Sequence, residues 1–85
     1  HSKKEGKRYQ ELSILEKAGM IQALELQPRY TMVINDRKVT TYVADFRYTE
    51  DGKTVVEDTK GFKTDVYKLK KKLMLALYDI EIKET

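Results

Sequence analysis

Asp45, Asp58 and Lys60 are the residues of this chain whose types and spacing could do chemistry together. Twelve residues separate the two aspartates, and Lys60 stands two positions beyond the second. The intervening stretch reads as a β-hairpin. Tyr42, Ala44, Phe46 and Tyr48 alternate with Val43, Asp45 and Arg47, the period-2 signature of a strand. Asp51-Gly52 is a pair typical of tight hairpin turns, and Val55-Val56 open the returning strand. If Asp51-Gly52 is a two-residue loop, Glu50 faces Lys53, and counting back sets Asp45 opposite Asp58 on one face. A four-residue loop gives the same pairing, whereas a three-residue loop slips the register and parts the two carboxylates. Facing carboxylates on a sheet lie roughly 5 Å apart and repel, and Asp is depleted in strands. Two local penalties at one spot suit a divalent cation. Mg²⁺ or Mn²⁺ takes oxygen ligands, commonly one or two carboxylates with waters and a substrate phosphate. Lys60, on the same face as Asp58, would orient or activate a water beside that metal. The bland alternative is a solvated acid pair neutralised by Arg47 or by lysines.

The elements that must position these residues follow in order. Ser2 and Glu5 match a capping box, so a helix is expected from Lys3 to about Ala18, ended by Gly19. Tyr9, Leu12 and Leu15 form its apolar stripe, and Glu5 falls on that same inward face. Glu5 either only caps the helix or points at the metal site, and both could hold in part. From Leu24 to Ile34 apolar residues recur at even positions, a half-buried strand for which Pro28 suits a start or an edge. Asn35 to Lys38 turns the chain into the central hairpin, so three strands form an antiparallel meander. Thr64 or Asp65 caps a second helix, whose apolar positions are Val66, Leu69, Leu73, Ala76 and Leu77. Lys68, Lys71 and Lys72 take its opposite side, with Lys70 on the flank. Ile80 and Ile82 make a short final strand. The expected order is α-β-β-β-α-β: an α/β (α+β) chain with a mixed four-stranded sheet flanked by two helices.

At 85 residues the chain makes one small domain, spanning 1–85, with a thin stability margin. Hydrophobic residues at 40% and a single proline favour a folded globular chain over disorder. No apolar run approaches the length of a membrane span, and no signal peptide is evident. With no cysteine there is no disulfide or thiolate metal site, which fits a reducing cytoplasm. The net charge of +3 is unevenly spread: Lys60 to Lys72 holds six lysines against one aspartate, a phosphate-facing patch or else a solvated helix face. His1 is given no role. The abrupt start in a helix leads us to expect further residues upstream.

Asp45 followed by Asp58-Thr59-Lys60, in this element order, resembles the PD-(D/E)XK nuclease superfamily, whose restriction-endonuclease-like core is α-β-β-β-α-β. Asp45 matches its first acid and Asp58-Thr59-Lys60 its (Asp/Glu)-x-Lys. Glu5 matches the helix-one glutamate of the branch similar to Holliday junction resolvases. The segments SKKEGKRYQEL, YVADFRY and VVEDTKGFKTDVYKLKKKL resemble a family of small phage and prophage proteins assigned to that superfamily. Ala44 stands where the motif's proline would be, and Asp58 where glutamate is commoner. The resemblance implies a metal-dependent DNA endonuclease, resolvase-like and structure-selective, acting in phage recombination or replication in a bacterial cytoplasm. It further implies Mg²⁺ or Mn²⁺ on Asp45, Asp58, the Thr59 carbonyl and Glu5, with Lys60 positioning water and phosphate.

On this view Lys63 and Lys68, with Lys71 or Lys72, hold the DNA backbone through interactions that carry no sequence information. So small a chain would use a homodimer to make paired cuts. The competing class is a non-catalytic nucleic-acid-binding or virion-associated module that keeps a nuclease-like fold.

Overall fold

The first helix, α1, spans Lys3–Lys17 because both of its ends are written locally. Ser2 caps it, its hydroxyl accepting the Glu5 N–H at 3.1 Å. At the other end Met20 N–H reaches the Leu15 carbonyl (2.9 Å) and Gly19 N–H reaches Glu16 (3.0 Å), a Schellman closure. Gly19 has φ +78°, which a side chain would resist. The computed structural model describes residues 2–85, and His1 lies outside them.

Six strands follow: β1 (Gln22–Leu26), β2 (Arg29–Ile34), β3 (Arg37–Val43), β4 (Phe46–Glu50), β5 (Lys53–Asp58) and, after helix α2 (Asp65–Tyr78), β6 (Lys83–Glu84). They form a mixed four-stranded sheet ordered β1-β4-β5-β6 and a separate two-stranded sheet of β2 and β3. Only β5 and β6 run parallel. The fold is therefore α+β, as the sequence patterning leads one to expect. Two expected strands are each broken once. The stretch from Leu24 to Ile34 turns at Gln27-Pro28, where Gln27 takes φ +52° and Pro28 brings no N–H. Its partner turns at Ala44-Asp45. The register does not slip: Leu26 faces Phe46 before the corner and Arg29 faces Val43 after it. Backbone bonds from Gln27 N–H to Asp45 O (2.9 Å) and from Ala44 N–H to Pro28 O (3.1 Å) carry the ladder across. The meander is one long hairpin bent as a unit.

Both hairpin turns are two-residue loops with left-handed residues, Asn35-Asp36 and Asp51-Gly52. In the second, Glu50 faces Lys53 and Phe46 faces Glu57, which is the register counted from the sequence. The corner nonetheless redistributes the aromatic face. Simple alternation places Tyr42, Ala44, Phe46 and Tyr48 together. In the structure Phe46 and Tyr48 pack with Leu12 and Ile21 beneath α1, while Tyr42 and Ala44 join Tyr30, Met32, Val56, Tyr67, Met74 and Ile82 beneath α2. Val55 belongs to the first cluster and Val56 to the second, so the clusters occupy opposite faces of the sheet.

Helix α2 is capped by Thr64, which accepts the Tyr67 N–H at 3.1 Å, but its buried side differs from the expected stripe. Tyr67 and Met74 face the core with Leu73 half-buried, whereas Val66, Leu69 and Leu77 are exposed. Two anchors turn the helix this way. The Tyr67 hydroxyl donates to Glu84, and Lys70 donates to the Thr41 carbonyl.

On the α1 face a fully buried acid, Glu57, is held bidentately by Arg8 (Nε 2.5 Å, Nη2 3.1 Å) and by the Tyr48 hydroxyl at 2.5 Å. Removing the cation strands a charge in a dry site. Arg8→Ala is therefore expected to destabilise the fold by about 3 kcal/mol in urea unfolding. Arg8→Ala combined with Glu57→Gln should recover part of that loss, and equal loss in the single and double variants would refute the pairing.

Candidate metal centre

The bend that breaks the second long strand also places the first acid. Asp45 lies in it with its N–H on the Glu57 carbonyl (3.2 Å) and its carbonyl holding Gln27, so its backbone is strapped on both sides. Its Oδ2 accepts the Thr59 N–H at 2.8 Å. The second acid ends β5. Asp58 is 1% exposed; its Oδ2 accepts a short hydrogen bond from the Tyr42 hydroxyl and lies 3.5 Å from Lys60 Nζ. Its Oδ1 is buried with no hydrogen-bond partner. Lys60 is steadied by the Tyr67 ring, whose centroid is 4.7 Å from Nζ.

The structure thus brings Asp45, Asp58, Thr59 and Lys60 to the C-terminal end of β5. Glu5 joins from the first turn of α1, where it and Asp45 line one groove with Tyr9 and Gln27. Its backbone N–H serves the cap while its carboxyl interacts with that of Asp45. Thr59 meets Asp45 through its N–H, and its hydroxyl pairs with that of Thr85 at 3.1 Å. Arg47 does not neutralise the pair; it turns to Glu25 (2.6 Å) and the Tyr30 hydroxyl (2.9 Å). Among the described residues, Lys60 is the cation at ion-pair distance from Asp58.

Burial pushes the Asp58 carboxyl up to about 6, and neighbouring Asp45 adds to the rise against the opposing hydrogen bond from Tyr42. Burial first and Asp45 second also raise Glu5, with Lys60 opposing. Tyr42, desolvated and facing Asp58, is raised above its usual value and stays a donor. Buried Asp58 and half-buried Asp45 thus share one patch with Lys60, and Glu5 borders it. Among the described residues no three acidic or histidine side chains form a metal cage. A cation here would rest on two carboxylates, with backbone and water oxygens completing its shell, a donor set that suits a hard divalent ion. The orphaned Oδ1 of Asp58 is the atom that fits it.

The lysines expected to hold phosphate divide into two kinds. Lys63 Nζ lies 3.1 Å and Lys71 Nζ 3.3 Å from the Glu84 carboxylate. With Tyr67 first and Lys63 next they hold Glu84 down at about 2. Lys68 and Lys72 line the same groove and are exposed. Glu84 as their counter-ion was not foreseen from the sequence, and neither were the roles of Arg8 and Tyr42.

Residues 1–85 match the family DUF1064, described as a protein of unknown function. The chain belongs to that family. No curated protein and no solved structure matches this DUF1064 chain.

A carboxyl whose folded pKa is raised stabilises the fold fully below its unfolded value, near 4, and loses that contribution as pH rises through the folded value. In the metal-free protein the Asp58 contribution should therefore fall away between about pH 4 and 6. Asp58→Asn, which mimics the protonated form, is expected to flatten that dependence. At pH 7 it should raise stability by about 1–3 kcal/mol. Thermal unfolding across this pH range with a chelator present checks both, and an unchanged pH slope would contradict the assignment.

Proposed function

We propose that this chain is a metal-dependent DNA endonuclease of the PD-(D/E)XK type. The observation that carries the proposal is the buried, partnerless Asp58 Oδ1 beside Asp45, with Lys60 on the same patch. Mg²⁺ or Mn²⁺ on Asp45 and Asp58, with the Thr59 carbonyl and with Glu5 through water, would lower the pKa of a bound water and offset charge on the scissile phosphate.

The chain's own residues do the rest. Tyr42 occupies Asp58 Oδ2 and leaves Oδ1 without a hydrogen-bond partner. Thr59 N–H fixes one oxygen of Asp45. Lys60, held over Tyr67, sets a positive charge where a phosphate oxygen would approach and can orient the attacking water. Lys68 and Lys72 stand ready for backbone phosphates. Lys63 and Lys71 must first exchange Glu84 for them. The basic side chains of this groove suit phosphates, whose contacts carry no sequence information, and this supports selection of DNA shape, such as a junction, over sequence. The absence of a long apolar helix among the described residues is compatible with work in the cytoplasm of a phage-infected bacterium, as the superfamily resemblance suggests. A homodimer would supply the second cut.

Mn²⁺ should raise the thermal stability of the wild type by about 2.7 kcal/mol at a hundredfold excess over its dissociation constant. Asp58→Asn should abolish that gain together with cleavage of junction, flap or duplex DNA. Lys60→Ala is expected to keep the metal response and lose on the order of 100-fold in cleavage rate. A wild type indifferent to millimolar metal would instead indicate a non-catalytic module.

A further inference from the structure

A second basic patch lies on the side of the sheet away from α2. Lys4 and Lys7 on α1 and Lys83 on β6 surround a shallow pocket with Arg8, Thr59 and Thr85. All three lysines are exposed, and none forms an ion pair with a described residue. Arg8 is spent on Glu57, and Glu11, the acid of this lining, leans to Arg8 at 3.8 Å. Uncompensated lysines drawn to one spot from two elements form a site of excess positive potential.

Its position gives it meaning. Thr59 and Lys60 are consecutive at the end of β5 and serve different sides. Thr59 lines the Lys4–Lys7–Lys83 pocket, and its N–H holds Asp45. Lys60 lies over Tyr67, which lines the Lys68–Lys72 groove beneath α2. The edge strand repeats the division, with Lys83 in one pocket and Glu84 in the other. The acid pair therefore lies between two basic patches, one at each face of the β6 edge. A polyanion reaching Asp58 from the α2 side would meet free positive charge again as it leaves past Thr59.

We infer that Lys4, Lys7 and Lys83 form a second phosphate subsite, binding the DNA backbone on the far side of the scissile position from Lys68 and Lys72. The inference rests on the acid pair being the cleavage site. The strand crosses the end of β5 and is gripped on both sides, so both ends of the cut product stay bound until release.

The test follows binding of a fluorescein-labelled DNA duplex by anisotropy between about 50 and 200 mM salt, with chelator and no metal. Lys4→Ala/Lys7→Ala/Lys83→Ala is compared with a charge-matched control, Lys17→Ala/Lys38→Ala/Lys53→Ala, at the remote end of α1 and in the two hairpins. Because the altered side chains are exposed and unpaired, unfolding midpoints should match the wild type. The patch variant is expected to flatten the slope of log affinity against log salt by roughly 2 to 3, about 0.9 for each phosphate no longer neutralised. The control should leave it near the wild-type value. Equal slopes in patch variant and wild type, or equal losses in patch and control, overturn the inference. If the wild type cleaves while the patch variant keeps its slope, the nuclease assignment survives and the subsite does not. If the patch proves specific while no metal supports cleavage, the subsite survives as a binding surface and the nuclease assignment falls.

Discussion

Two adjacent acids at the end of β5, Glu57 and Asp58, are both buried, and the rest of the molecule is arranged around what each of them needs. Consecutive strand residues face opposite sides, so one sheet end carries a desolvated carboxylate on each face. A buried charge is tolerable only when paired and hydrogen-bonded. Glu57 receives a forked guanidinium and a tyrosine hydroxyl, which join α1 to the sheet. Asp58 receives one tyrosine hydroxyl, a lysine at longer range, and a second carboxylate for a neighbour. The first acid is neutralised for structure. The second is left short of positive charge, which is the condition a divalent cation relieves.

The corner at Gln27-Pro28 and Ala44-Asp45 makes that shortage possible. In a straight ladder Tyr42 would share a face with Phe46 and sit beneath α1. The bend carries it to the α2 face, where its hydroxyl reaches Asp58. The same bend takes Asp45 out of regular strand geometry while its backbone stays bonded to Gln27 and Glu57. A carboxylate on a braced bend keeps its orientation beside its neighbour. Glu5 arrives because the capped first turn of α1 overlies the bend, and α1 is itself pinned through Arg8 one turn later.

Charge outside the site follows a related logic. Glu84 projects toward α2 and gathers Lys63, Lys71 and the Tyr67 hydroxyl, an internal stand-in for a bound anion. Tyr67 then links this cluster to the acid pair, since its ring supports Lys60. The edge strand β6, only two residues long, thereby affects the electrostatics on both sides of the sheet.

Residue order was enough to read whatever depends on neighbours along the chain. Ser2, Gly19 and Thr64 set helix ends, and Asp51-Gly52 set a register that put Asp45 across from Asp58, because side chains alternate with period two and the turn leaves no slack. The PD-(D/E)XK-like spacing and the lysine-rich run are likewise matters of linear order. Whatever depends on distant partners was decided in three dimensions. Nothing in the alternation of Tyr42 through Tyr48 announces that the ladder bends, since the bend arises from two strands yielding together. Helix α2 presents Tyr67 and Met74 where its own periodicity favours Val66 and Leu69, because Glu84 and Thr41 capture side chains that local hydropathy counts as outward. Arg8 finds Glu57 across 49 residues, and Lys63 and Lys71 lose their freedom to Glu84. Such pairings are decided by desolvation, which exists only once the chain has closed around them.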